Sequence, residues 1–187
     1  MKEMLEKYAL VSIMKEVLVN AANRYSVNET ARKTKISVFA AKQALDYMYS
    51  KGMITLDKVG NTFQYQANKE SPLTRQWKIL FSLEELDKAK IIQNILDTKK
   101  SILSILLYGS CATGKDDQNS DMDLIVVGDL DIKGKREISV LARGTTREIN
   151  ISVYSIMEWK KKKEQDKIFY EHVIIDSVSL YGEKPVV

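Results

Sequence analysis

Ile102-Leu103-Ser104-Ile105-Leu106-Leu107-Tyr108-Gly109-Ser110 and, ten residues further on, Asp121-Met122-Asp123-Leu124-Ile125-Val126-Val127-Gly128 are the stretches on which the reading of this chain turns. Each contains a short apolar run of buried-strand length, the first ending in a glycine and a serine and the second opening on two acids. Alternate residues of a strand share a face, so Asp121 and Asp123 are expected side by side while Met122 and Leu124 turn inward. Two neighbouring carboxylates repel unless a cation lies between them, and hard oxygen ligands at this spacing suit Mg2+.

Working outward on the C-terminal side, Arg147-Glu148-Ile149-Asn150-Ile151-Ser152-Val153-Tyr154 reads as another strand. Ile149, Ile151 and Val153 would face the core, and Glu148, Asn150 and Ser152 the cleft. A helix is expected between the strands over Lys135 to Arg143, stopped by Gly144. Ser155-Ile156-Met157-Glu158 has the form of a capping box opening a helix to Lys163, whose lysine run belongs to a solvated helix end. Ser177 to Gly182 reads as a last strand. Cys111 and His172 have no partner for hydrolytic catalysis and are expected to be structural.

The combination of apolar-Gly-Ser, ten residues and Asp-apolar-Asp-apolar, with Ser120 before the acids, resembles the signature of the DNA polymerase beta nucleotidyltransferase superfamily, particularly its minimal members. The resemblance implies that Gly109 and Ser110 hold a nucleoside triphosphate and that Asp121 and Asp123 bind divalent metal, with two Mg2+ ions possible. It also implies a third carboxylate on a later strand, serving as metal ligand and helping to deprotonate an acceptor hydroxyl. Glu148 is the acid in phase for that role, in place of the commoner Asp. The alternative for Glu148 alone is a surface residue paired with Arg147.

On the N-terminal side the order is helices first, then a hairpin. Leu5 to Ala21 carries apolar residues at roughly helical spacing, giving one long helix ending near Asn23. Ser26-Val27-Asn28-Glu29 is a capping box for a short second helix to about Thr34, and Ser37 caps a third, stopped by Gly52. Met53 to Leu56 and Thr62 to Gln66 then read as two strands joined through Val59-Gly60-Asn61. This order resembles a winged helix-turn-helix, in which the later helix enters the major groove of double-stranded DNA and the hairpin rests on its backbone. Arg32, Lys33, Lys35, Lys42, Gln43, Lys58 and Asn61 are the residues expected to reach phosphates or base edges. The alternative is a protein-docking winged helix. Ser71-Pro72 and a further capping box at Ser82-Leu83-Glu84-Glu85 predict two more helices, over 72–81 and 83–97.

The expected fold is therefore α+β: a winged helix-turn-helix over residues 1–81, a connecting helix over 82–98, and a small mixed-sheet nucleotidyltransferase domain over 99–187. The stretch from Arg147 to Gly182 resembles prokaryotic proteins that fuse these two modules. Of the net charge of +4, the whole excess lies in residues 1–85, which is compatible with a polyanionic partner. With 44% hydrophobic and 29% charged residues the chain has a globular composition. The apolar runs are too short to cross a membrane, the first residues lack a signal-peptide pattern, and a single cysteine fits a reducing cytoplasm. The implied function is Mg2+-dependent transfer of a nucleoside monophosphate from a triphosphate to an acceptor, possible protein acceptors included. The alternative is a DNA-binding regulator whose nucleotidyltransferase-like domain senses nucleotide without turnover. The helix over residues 1–23 is the expected contact of a homodimer.

Overall fold

Among the described residues, apolar side chains close one core largely among helices and another around a sheet. The computed structural model describes residues 8–98, 100–141 and 147–187. They form two compact units, Met1–Glu84 with Gly114–Gln118, and Glu85–Thr113 with Asn119–Val187.

The first unit opens with α1 (Ala9–Val19), which ends before the predicted Asn23, the predicted start at Leu5 lying outside the described residues, and which is followed by a two-residue strand β1 (Arg24–Tyr25) that the sequence reading missed. Helix α2 (Val27–Thr34) begins where the Ser26 hydroxyl accepts from the Glu29 amide at 3.2 Å, and α3 (Val38–Ser50) where Ser37 accepts from Ala40 at 3.2 Å. Strands β2 (Ile54–Val59) and β3 (Thr62–Ala67) pair antiparallel, and β1 joins the far edge of β3, giving the order β1-β3-β2. Val59 pairs with Thr62, which leaves a two-residue turn whose first residue, Gly60, has φ +60°, as a type II′ hairpin turn requires. Ile13, Leu18, Tyr25, Leu45, Met48 and Tyr65 are buried together at the centre.

Helix α4 (Pro72–Lys88) corrects one expectation. The Ser82 box does not start a helix: Ser82 lies inside α4 with its side chain buried. The break falls at Lys90, in the left-handed region at φ 54°, and α5 (Ile91–Asp97) follows. Within the first unit Lys78 and Asp116 form an ion pair at 3.3 Å, each side chain 2% exposed.

In the second unit β4 (Ser101–Tyr108) and β5 (Met122–Asp129) are antiparallel neighbours at the centre of a sheet of order β6-β5-β4-β7. Strand β6 (Ile149–Ser155) lies parallel to β5, and β7 (Val178–Tyr181) antiparallel to β4. A four-residue turn of helix, α6 (Ser110–Thr113), follows β4. Helix α7 (Ile132–Ser139) is capped by Asp131, whose carboxylate accepts from the Gly134 amide at 2.7 Å, so it starts and ends earlier than expected. Arg143 and Gly144 lie outside the described residues. Helix α8 (Ile156–Gln165) has the full Ser155–Glu158 capping box, and α9 (Lys167–Asp176), not foreseen from the sequence, follows from an Asp166 cap. Trp159 and Tyr170 from these helices pack on Leu106, Ile125 and Val127, and the buried Trp159 indole donates to the Pro185 carbonyl at 2.7 Å. Among the described residues no helix is long and apolar enough to cross a membrane.

Candidate active site

The two motifs meet at the ends of the central strands. Tyr108, the last residue of β4, is paired with Asp123 on β5, so the turn leaving β4 lies beside that carboxylate. Gly109 makes this turn at φ +76°, and a Cβ there would stand 3.1 Å from Asp123 Oδ2. A side chain at position 109 would thus meet both backbone strain and the acid itself, which is why the motif needs glycine. Ser110 then opens α6, whose turn is closed by the Thr113 hydroxyl donating to the Gly109 and Ser110 carbonyls at 3.3 and 3.2 Å.

Asp121 and Asp123 are both half-buried and, as strand parity requires, flank the inward-facing Met122. Their segment is held from below. The buried Cys111 thiol donates to the Asp121 carbonyl at 3.2 Å, and the Arg147 guanidinium donates to the Cys111 sulfur at 3.2 Å and to the Ser120 carbonyl. Cys111 thus has a structural role, and Arg147 supports the backbone beneath the acids.

The parallel β5–β6 pairing fixes what stands opposite them. Met122 pairs with Ile149 and Asp123 with Asn150, and the Met122 amide donates to the Glu148 carbonyl at 2.9 Å. The Asn150 amide nitrogen donates to Asp121 Oδ2 at 3.4 Å and to Asp123 Oδ1 at 3.3 Å. Glu148 is exposed and precedes β6. Among the described residues no group of three or more His, Cys, Asp or Glu side chains comes together, so Glu148 does not join the aspartate pair as a third acid. Asn150 was legible as a cleft-facing residue, but its contact with both acids was not foreseen. Nearby, the Tyr108 phenol is pushed up, first by burial and then by the charge of Asp123, while a hydrogen bond with Ser152 partly opposes the rise. It stays protonated at neutral pH.

The residues expected on nucleic acid are all exposed: Arg32 and Lys33 in the last turn of α2, Lys35 just after it, Lys42 and Gln43 on α3, Lys58 on β2 and Asn61 in the hairpin turn. Two of them are engaged within the chain. Lys42 pairs with Asp46 one turn along α3, and Lys33 sits 3.4 Å from Glu16 and 4.8 Å over the Tyr25 ring. Val38 and Phe39 on α3, and Val59 and Phe63 on the hairpin, expose apolar surface beside these cations.

A family model described as "Polymerase beta, Nucleotidyltransferase" matches residues 90–185, just over half of the chain. No curated protein matches. Among solved structures the chain is similar to a mutant of the toxin–antitoxin MntA-HpeT, with 20% identity over 51% of this chain and 73% of that one and a TM-score of 0.39. It is also similar to a Sulfolobus solfataricus chain described as a nucleotidyltransferase, at 15% identity over 58% and 86% with a TM-score of 0.39. A third likeness is to TrmBL2, an archaeal chromatin protein, at 14% identity over 90% and 73% with a TM-score of 0.31.

Proposed function

The chain belongs to the polymerase beta nucleotidyltransferase family, and from that premise we propose that it transfers a nucleoside monophosphate from a triphosphate to an acceptor hydroxyl, with Mg2+, alongside a DNA-binding winged helix. The observation that carries the reading is the juxtaposition of Gly109 with Asp123 and, through Asn150, with Asp121. The donor set fits a hard divalent cation: two half-buried carboxylates from one strand edge, with a neutral amide between them.

We assign the Gly109 backbone, and the Ser110 hydroxyl and amide at the start of α6, to the triphosphate. Mg2+ held by Asp121 and Asp123 would supply Lewis-acid polarisation of the phosphoryl oxygens. The acceptor oxygen bonds to the α-phosphorus as the bridging bond to the β-phosphate breaks, and pyrophosphate leaves. Glu148, next to Asp121 along the paired strands and open to solvent, is the carboxylate we assign to take the acceptor's proton. Transfer of labelled nucleotide to RNA, protein or small-molecule acceptors is expected to vanish in Asp121→Ala and in Asp123→Ala. Transfer that survives both substitutions refutes the assignment.

One observation favours a second reading, a regulator that binds nucleotide without turnover: no third acid joins the pair among the described residues. Nucleotide binding with no pyrophosphate release, and with altered affinity for a DNA site, would establish it. In either case we read α1–α3 and the β2–β3 hairpin as a winged helix-turn-helix, on their order and on the positive excess of residues 1–85.

A further inference from the structure

We infer that Asn150, whose amide lies between Asp121 and Asp123, is a positioning residue that makes their hold on a divalent ion conditional on a bound triphosphate. The inference rests on the nucleotide-binding reading above and goes beyond it by saying in what order the site fills.

Asp121 and Asp123 place two like charges on one strand edge, and among the described residues neither is ion-paired with a Lys, Arg or His. What stands between them is a neutral amide. One Asn150 nitrogen, with two hydrogens to give, reaches an oxygen of each acid at 3.4 and 3.3 Å. Both contacts are longer than the common 2.7–3.2 Å range for N–H···O bonds, so they are weak and readily exchanged. The strand register puts Asn150 there: Asp123 and Asn150 are paired residues on β5 and β6, and Glu148 lies two residues back, exposed.

A cation that bridges the two acids must displace this nitrogen. A half-turn of the Asn150 amide presents its oxygen to the same space, so the residue can serve as a neutral third ligand once an ion arrives. The charge offered is then that of two carboxylates and no more. Mg2+ loses its waters reluctantly and is usually bound through one or two carboxylates plus substrate phosphates, so a site of this charge gains its remaining ligands from a triphosphate. Ion and nucleotide therefore enter as one complex, and the free ion alone is held weakly.

The test uses Mn2+ as the probe, titrated alone by electron paramagnetic resonance, and equilibrium dialysis of labelled non-hydrolysable nucleoside triphosphates with and without Mn2+. The parent is expected to retain nucleotide only when Mn2+ is present and to bind Mn2+ alone weakly. Asn150→Asp is expected to raise affinity for free Mn2+ by about tenfold or more, the order expected for one further unit charge about 4 Å from a divalent ion under near-aqueous screening. Asn150→Leu, which offers no oxygen, is expected to lower Mn2+-dependent nucleotide retention by about tenfold. Because the residue is exposed, Asn150→Leu is expected to melt like the parent, while Asn150→Asp, which sets a third carboxylate beside the pair, is expected to melt lower without Mn2+ and to regain stability when Mn2+ is added. Free Mn2+ affinity that is the same in Asn150→Asp as in the parent, or nucleotide retention unaffected in Asn150→Leu, overturns the inference while leaving the nucleotide site intact. A parent that retains no nucleotide with Mn2+ overturns the site reading and this inference together.

Discussion

Replacing Gly109 by Ala tests the site at its tightest point, because the added methyl meets two separable costs. The first is backbone strain: at φ +76° an L-residue in the left-handed region costs about 1–2 kcal/mol. For a protein of this size that lowers the melting midpoint by roughly 2–8 °C, at about 2–4 °C per kcal/mol. The second is contact. The new Cβ lies 3.1 Å from Asp123 Oδ2, closer than an ordinary van der Waals contact, so the carboxylate must move by a few tenths of an ångström away from the position where Asn150 meets it. Disturbing the support of a metal-holding carboxylate typically costs about 10–100-fold in metal affinity, so a shift of this size is expected to weaken Mn2+-dependent nucleotide retention by about tenfold. Gly60→Ala is the matched control. Gly60 has φ +60° but no atom within 4 Å of its would-be Cβ, so it bears the strain without the contact. Both variants should lose comparable stability, and only Gly109→Ala should lose nucleotide. Parental nucleotide retention in Gly109→Ala, or an equal loss in Gly60→Ala, refutes the claim that position 109 acts through Asp123.

Three further outcomes are expected. Asp116→Leu strands the buried Lys78 ammonium and should cost about 3–5 kcal/mol in urea unfolding, whereas Lys78→Met with Asp116→Leu should recover most of that loss. Glu158 is held down at about 2, first by its hydrogen bond with Lys135 and then by the Ser155 amide, so its stabilisation is complete above about pH 4.5 and is lost as pH falls through about 2. Glu158→Gln should accordingly melt below the parent at pH 7, by about 1 kcal/mol or less for so exposed a pair, and like it at pH 2. Lys35→Ala and Lys58→Ala should each reduce the salt slope of duplex DNA binding by about 1, measured by fluorescence anisotropy, while Lys42→Ala, already paired with Asp46, should change it less. Slopes equal to the parent's in all three variants, or no binding by the parent at low salt, would leave the first unit as a protein-docking module.

Much of this geometry follows from local pattern. The serine caps at Ser26, Ser37 and Ser155 are local hydrogen bonds between residues three apart, and the structure contains each of them. Apolar runs ending at Gly109 and starting after Asp121 define strands whose parity places both acids on one face. The same local rule misleads at Ser82, where a Ser-x-x-Glu sequence lies inside a helix and the Ser82 side chain is buried rather than capping an end. The break instead falls at Lys90, a left-handed residue that carries no glycine signal. The composition of the site turns on a longer-range quantity. Glu148, Asn150 and Ser152 share a face by parity, and sliding β6 along β5 by two residues would preserve every inward and outward assignment while bringing Glu148, not Asn150, opposite Asp123. Hydrophobic pattern cannot distinguish those registers. The polar anchor at the start of β6 can: Arg147 donates to the Ser120 carbonyl and the Cys111 sulfur, while the Cys111 thiol donates to the Asp121 carbonyl, so the residue before Glu148 is tied to the residue before Asp121. That tie fixes the register at Met122 with Ile149, and the amide between the two acids is its consequence.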